Sequence, residues 1–430
     1  MNAQGRIEIA KAGARPGTTG RPLMSDHNLS ARVWAAAALL AVPLSARTGV
    51  GWWLPLHLAL LGALTQAIVG GQLMFSTTLG LARGPSRTST LVQLGLLNAA
   101  ALSVIIGRWA DLQTLFVAGV TAFIGVVAWV AGQVHRLWRS SINRRFAVTG
   151  TFYRLAAACL LLGASIGGAL GAGAFNNATS YVAHRGVHMT LNVFGWAGMT
   201  IVGTAITLLP TILHVRAPKL RAVRRAPWLM FFGLVVMSTG ATTGLGWIGG
   251  IGMATYAAGF VLFLFHVKKV LATPSRRRIP TAAFHLIAAL AWAMITAASL
   301  VVTLWQDDWA AGRDFIVVGG AVGFAFQALI GAWSFLLPSA RAPIPQQRRI
   351  ELIAMELGGR FQVAAYNLGL ILALVGLRTG TDLSVVGTSL AWSAAAWAIT
   401  KALVFPILSR LPSVERRAAA WWADFEKGAI

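Results

Sequence analysis

The chain has one cysteine, Cys159, in 430 residues, which excludes an intrachain disulfide and any paired-thiol metal or redox site. Charge is scarce as well. Only 11% of the residues are charged, where soluble domains carry about 25%, and 12 acidic residues face 36 Lys and Arg. The acidic residues stay out of the interior of the apolar segments, so the buried carboxylates that mark proton relays and ion-coupled pathways are missing. No phosphate loop, HExxH helix or serine-nucleophile elbow occurs. The glycine pairs of "GWIGGIG" read as a link between segments, too weak a pattern for a nucleotide site.

What is abundant is apolar sequence: 57% of residues are hydrophobic and the mean hydropathy is +0.68. Long apolar runs lie near 33–46, 52–82, 88–107, 112–134, 148–172, 187–215, 226–245, 247–271, 281–304, 314–338, 360–377 and 384–409. Runs of about 20 apolar residues span a bilayer as helices, so the expected fold is an all-α polytopic membrane protein with about twelve spans. A net charge of +24 would suit a nucleic-acid partner if it were clustered. Here the basic residues fall in short bursts between spans, the pattern of membrane loops, so the partner is a lipid bilayer and no nucleic acid is expected. With the N-terminus inside, cytoplasmic segments hold 29 Lys and Arg and external loops hold 5. This asymmetry predicts a bacterial inner membrane protein with both termini cytoplasmic. Residues 1–32 read as a polar, disordered N-terminus, with "MSDHNLSARVW" from Met24 resembling a second start. Residues 33–409 form the membrane domain and 410–430 a cytoplasmic tail.

Three segments resemble one another. The second contains "QAIVGGQLMFSTTL" from Gln66, the sixth "MTIVGTAITLLPTI" from Met199 and the tenth "QALIGAWSFLLPSA" from Gln327. Gly70, Gly203 and Gly331 align without gaps at offsets of 133 and 128 residues, and Pro210 aligns with Pro338. The unit is therefore four helices, repeated three times about the membrane normal, and such repeats place shared sites near the middle of the bundle.

Candidate functional residues follow from depth. His135, His214, His266 and His285 sit at cytoplasmic ends, where an interfacial role suffices, and His27 lies in the tail. His57, His184 and His188 share the outer side, on the second and sixth segments. Four residues separate His184 from His188, so they occupy one helix face. Imidazoles on two facing helices hold a haem iron from both sides, which His57 and His188 would do if those helices face each other. His184, with His188, is a candidate for copper, or for a haem propionate, to which Arg185 would pair. The alternative for all four is ordinary interfacial or loop chemistry, and His57 and His188 stand two positions out of register in the repeat. Gln66, Gln72, Asn192 and Gln327 are costly against lipid and should face the interior, as helix–helix hydrogen bonds or as a polar pore lining. Gly163, Gly167 and Gly171 sit four apart and favour close helix packing. Lys401 and Arg154 lie near cytoplasmic ends, where both can snorkel to the interface.

Twelve helices, a threefold four-helix repeat and outer histidines on the second and sixth helices resemble the catalytic subunit of haem–copper oxidases. The stretch "HMTLNVFGWAGMTIVGTAITLLPTILHVR" is more similar to diverged relatives of that fold, the NnrS-type membrane proteins and actinobacterial membrane proteins. The resemblance implies haem, copper or both near the outer face, membrane redox partners, and a role in respiration or nitric-oxide metabolism. Carried over by position, His57 matches a helix-2 haem ligand, and His188 or His184 a helix-6 copper ligand. The oxidases' histidines on helices 7 and 10 have no counterpart, since residues 226–245 and 314–338 contain none. Oxygen reduction and proton pumping are therefore not implied. Two other classes remain open: a transporter of a small solute using Gln66, Gln72 and Gln327, and a cofactor-free assembly scaffold.

Overall fold

A computed structural model describes residues 20–48, 51–175, 177–219, 221–273, 279–341 and 345–408. Residues 1–19 and 409–430, most of the two expected tails, lie outside the described residues. Twelve helices are long and apolar enough to cross a membrane, and no strand occurs among the described residues. They are α1 (Gly20–Thr48), α2 (Trp53–Gly80), α3 (Arg87–Trp109), α4 (Gln113–Arg139), α5 (Ala147–Gly171) and α6 (Ala178–Ile212). Next come α7 (Ala226–Thr243), α8 (Gly246–Leu271), α9 (Thr281–Trp305), α10 (Trp309–Ser339), α11 (Gly359–Thr379) and α12 (Leu383–Leu408). A short helix, Pro345–Glu356, precedes α11.

Several helices begin before their apolar stretch does. Apolarity marks the part fit for hydrocarbon, while the helix itself is set by caps and packing. The Asn177 side chain accepts from the Ser180 amide and starts α6, so His184 is helical. Likewise α10 starts at Trp309, with Asp308 accepting from the Ala311 amide, and it carries an Arg313–Asp314 ion pair of 2.9 Å in its first turns. Helix α1 starts at Gly20 rather than near residue 33. His27, Asn28 and Arg32 are buried in the bundle, and Arg32 donates to the Ala402 carbonyl at 2.7 Å. The stretch "GWIGGIG" belongs to α8, where Gly252 lets the helix approach α7 and Gly246 and Gly250 lie against α9.

Helices α2, α6 and α10 form the centre. Their apolar windows are 61%, 89% and 72% buried, against 50% or less in every other span. Each contains a wide π-turn, at Leu58–Leu64, Leu191–Gly198 and Phe315–Phe326, and the wide turn of α10 packs on the other two. These turns lie immediately before the three segments that the repeat aligns, and overlap one another at the same offsets of 133 and 128 residues. A π-turn inserts one residue into an α-helix, and such insertions are frequent at functional sites.

The surrounding helices carry the same repeat in their glycines. A β-carbon at Gly107, Gly240 or Gly376 would run into the backbone nitrogen of Phe116, Gly249 or Ser384 respectively. One at Gly119, Gly252 or Gly387 would meet that of Val104, Met237 or Ala373. The hairpins α3–α4, α7–α8 and α11–α12 are thus closed by the same two backbone-to-backbone contacts. The three turns also share a left-handed residue, Asp111, Gly244 and Gly380, with φ of 54°, 73° and 65°. Gly adopts that conformation freely and Asp tolerates it.

Three side chains, Lys401, His266 and His285, depart from the interfacial placement expected of them. Lys401 is 2% exposed, and its Nζ donates to the carbonyls of Met355 at 3.0 Å and Leu357 at 3.3 Å. Those carbonyls end the short helix, where a cation is favoured, so Lys401 does not need to snorkel. His266 and His285 are buried as well. Arg154 and His135 are exposed on the basic half of the bundle, as interfacial residues are.

Candidate functional site

The arginine-poor end of the bundle is where α2 and α6 begin. Trp53, Leu54 and Pro55 form the first turn of α2, a position where proline costs no hydrogen bond. One turn later the His57 ring stacks on Trp53, with centroids 4.2 Å apart. His57 Nδ1 lies 2.8 Å from the Trp53 carbonyl. A carbonyl only accepts, so Nδ1 carries the proton and Nε2 presents its lone pair.

His188 reaches the same state by a different route. Its Nδ1 donates to the Gly163 carbonyl of α5 at 2.7 Å, which leaves Nε2 as the free nitrogen. Asn192 Nδ2 has the His188 carbonyl as its acceptor at 2.6 Å. The ring sits where α5 has no side chains. A β-carbon at Gly167 would strike the imidazole, and one at Gly163 would lie 2.7 Å from Asn192 Nδ2. Gly171 gives Phe116 of α4 the same freedom.

The two histidines meet. Their ring centroids are 6.4 Å apart and their planes 10° from parallel, and both rings are only half-buried. An ion bound by both Nε2 atoms has metal–nitrogen bonds of about 2 Å, and each nitrogen lies about 1.1 Å from its ring centre. With the nitrogens facing each other, the ring centres then stand roughly 6.3 Å apart. Fixing Nδ1 by a carbonyl is also how metal-binding imidazoles are oriented. The spacing of the two ring centres is therefore compatible with an ion held by both Nε2 atoms.

His184 has other partners. It stacks on Phe175 with centroids 3.9 Å apart, and its Nδ1 lies 2.8 Å from the Ser180 carbonyl. The Arg185 guanidinium lies over the Tyr181 ring, 5.6 Å from its centroid. Among the described residues no three His, Cys, Asp or Glu side chains converge as a metal-ligand set, so His184 and His188 have no third copper ligand of that kind there.

The interior amides are spread over the centre of the bundle. Gln66 accepts from His27 Nδ1 at 2.7 Å, and Gln72 donates to Thr200 at 2.9 Å, tying α2 to α6. Gln327 is fully buried, with no hydrogen-bond partner for either polar atom. The His27–Gln66 pair is absent from the sequence reading, which left His27 in the tail. The signal was there: Ala31, Ala35 and Ala38 form a helical stripe that continues back to His27 and Asn28. Trp53 and the Gly163–Gly167 seat also escaped notice as parts of the histidine site. Compared with known proteins, the chain matches no protein-family model and no curated protein.

Proposed function

We propose that this membrane protein binds a haem between α2 and α6, whose iron His57 and His188 would hold, and serves electron transfer in respiratory or nitrogen-oxide metabolism. The observation that supports this reading is the His57–His188 pair, 6.4 Å apart and 10° from parallel, with both Nδ1 atoms committed to carbonyls. When bound, the haem supplies one-electron chemistry at its iron. The chain's own residues do the rest. Trp53 and the α5 glycines fix the ring orientations, and the Trp53 and Gly163 carbonyls fix the tautomers. The metabolic setting rests on the resemblance to the oxidase-like fold, and placement in a bacterial inner membrane with cytoplasmic termini rests on the excess of Lys and Arg in the inner segments.

The test is the visible spectrum of the detergent-purified protein from haem-replete cells, oxidised and reduced, with metal analysis on the same sample. A Soret band lost in both His57→Ala and His188→Ala is expected. A colourless, metal-free wild-type preparation overturns the reading.

A further inference from the structure

A second space lies deeper in the bundle, toward its basic end and away from the histidine pair. Its walls come mainly from α2, α6 and α10, with Asn28 of α1 and Leu286 of α9. The positions are those the repeat makes equivalent: Ala67, Thr200 and Ala328 form one ring, and Gly71, Thr204 and Ala332 the next. The cavity therefore sits on the threefold axis. The wall side chains there are small in all three repeats, so the space is a property of the repeat and not a single packing fault.

Its chemistry is apolar, because the polar wall residues are paired with one another or with a neighbour. Gln72 donates to Thr200 at 2.9 Å, Thr204 bonds Tyr153 at 2.8 Å, and Trp333 donates to Asn28 at 2.8 Å. A water molecule needs two to four polar partners to settle in a cavity, and these walls offer few. Size narrows the ligand further. The cavity measures about 80 Å³, compared with about 150 Å³ for an apolar cavity that admits benzene. A lipid tail is disfavoured by position, since the three central helices are the most buried spans.

We propose that this axial cavity is a binding site for a small, uncharged, apolar molecule of a few heavy atoms. Gly71 is its entry in the sequence: a β-carbon there would meet nothing within 4 Å, so a side chain at this position grows into the space. Xenon is the probe, because it binds dry apolar cavities of this kind. Xenon-dependent chemical-shift changes in the purified full-length protein, with xenon-derivatised diffraction, would read occupancy. The expected result is xenon on the axis in the wild type, weakened in Gly71→Ala and lost in Gly71→Val, with the fold unchanged by circular dichroism. Absence of xenon from the axis in the wild type overturns the proposal. So does equal xenon binding in wild type and Gly71→Val, or an ordered acyl chain filling the cavity. None of these results depends on haem, so this site and the histidine site stand or fall separately.

Discussion

Gly167 of α5 and His188 of α6 are in contact so close that a β-carbon at Gly167 would lie 2.6 Å from the imidazole Nδ1. The glycine is thus the floor of the His188 seat. A helix interior disfavours glycine by about 1 kcal/mol relative to alanine, so Gly167→Ala should stabilise an isolated helix. Here the added methyl group displaces the ring from the Gly163 carbonyl. We expect Gly167→Ala to lower haem occupancy about tenfold, equivalent to about 1.4 kcal/mol. Gly125→Ala, with open space around its β-carbon, should leave occupancy unchanged. A wild-type spectrum in Gly167→Ala would mean that His188 does not hold the haem.

The hairpin glycines make a prediction that tests the repeat. Gly119, Gly252 and Gly387 each approach the backbone of the preceding helix at an equivalent point. Overpacking such a contact costs about 1–3 kcal/mol. Alanine at each of the three should therefore lower the thermal unfolding midpoint in detergent by similar amounts, while Gly125→Ala does not. A loss at one hairpin alone would show that the three contacts are not energetically alike.

The twelve spans and the repeat in the second, sixth and tenth segments were legible because bilayer length and glycine spacing are one-dimensional signals. The repeat in the outer hairpins was not seen. Gly107, Gly240 and Gly376 are spaced by 133 and 136 residues, but their neighbours share no side-chain pattern, since the contact is to backbone. The histidines teach the opposite lesson. His57 and His188 stand two positions out of register in the repeat, from which the sequence implied only that they need not point the same way. In a rotational repeat, equivalent residues meet one another only on the axis, as Ala67, Thr200 and Ala328 do, so a pair off the axis between two helices comes from non-equivalent positions. Two residues turn a helix by about 200°, which brings the second ring to the opposing face. The first helix was misread where polar residues extend it beyond its apolar part, at His27.

Lys401 predicts a local effect. Its Nζ holds two carbonyls at the end of the short helix, Met355 and Leu357, while Glu356 accepts from the Thr281 amide at 3.0 Å and from its hydroxyl at 2.8 Å. Hydrogen bonds to a charged donor contribute about 1.5–3 kcal/mol. Lys401→Met keeps the apolar stem and removes the charge, so it should speed amide exchange and proteolysis across residues 345–357 without altering the other spans. Unchanged protection there would mean that Glu356 and packing suffice.

The orientation of the bundle can be read with cysteine chemistry, because the single native thiol is buried. Cys159 is 1% exposed and should not react with a membrane-impermeant maleimide. Leu112, between α3 and α4, is 51% exposed, and Ile142, between α4 and α5, is 80% exposed. The two lie at opposite ends of α4, so the bilayer separates them. Basic loops are retained on the cytoplasmic side because Lys and Arg there resist translocation, and Arg139, Arg144 and Arg145 flank Ile142. In intact cells Leu112→Cys should therefore be labelled and Ile142→Cys should not, with both labelled after permeabilisation. The reverse pattern would invert the bundle and put the His57–His188 pair on the cytoplasmic side.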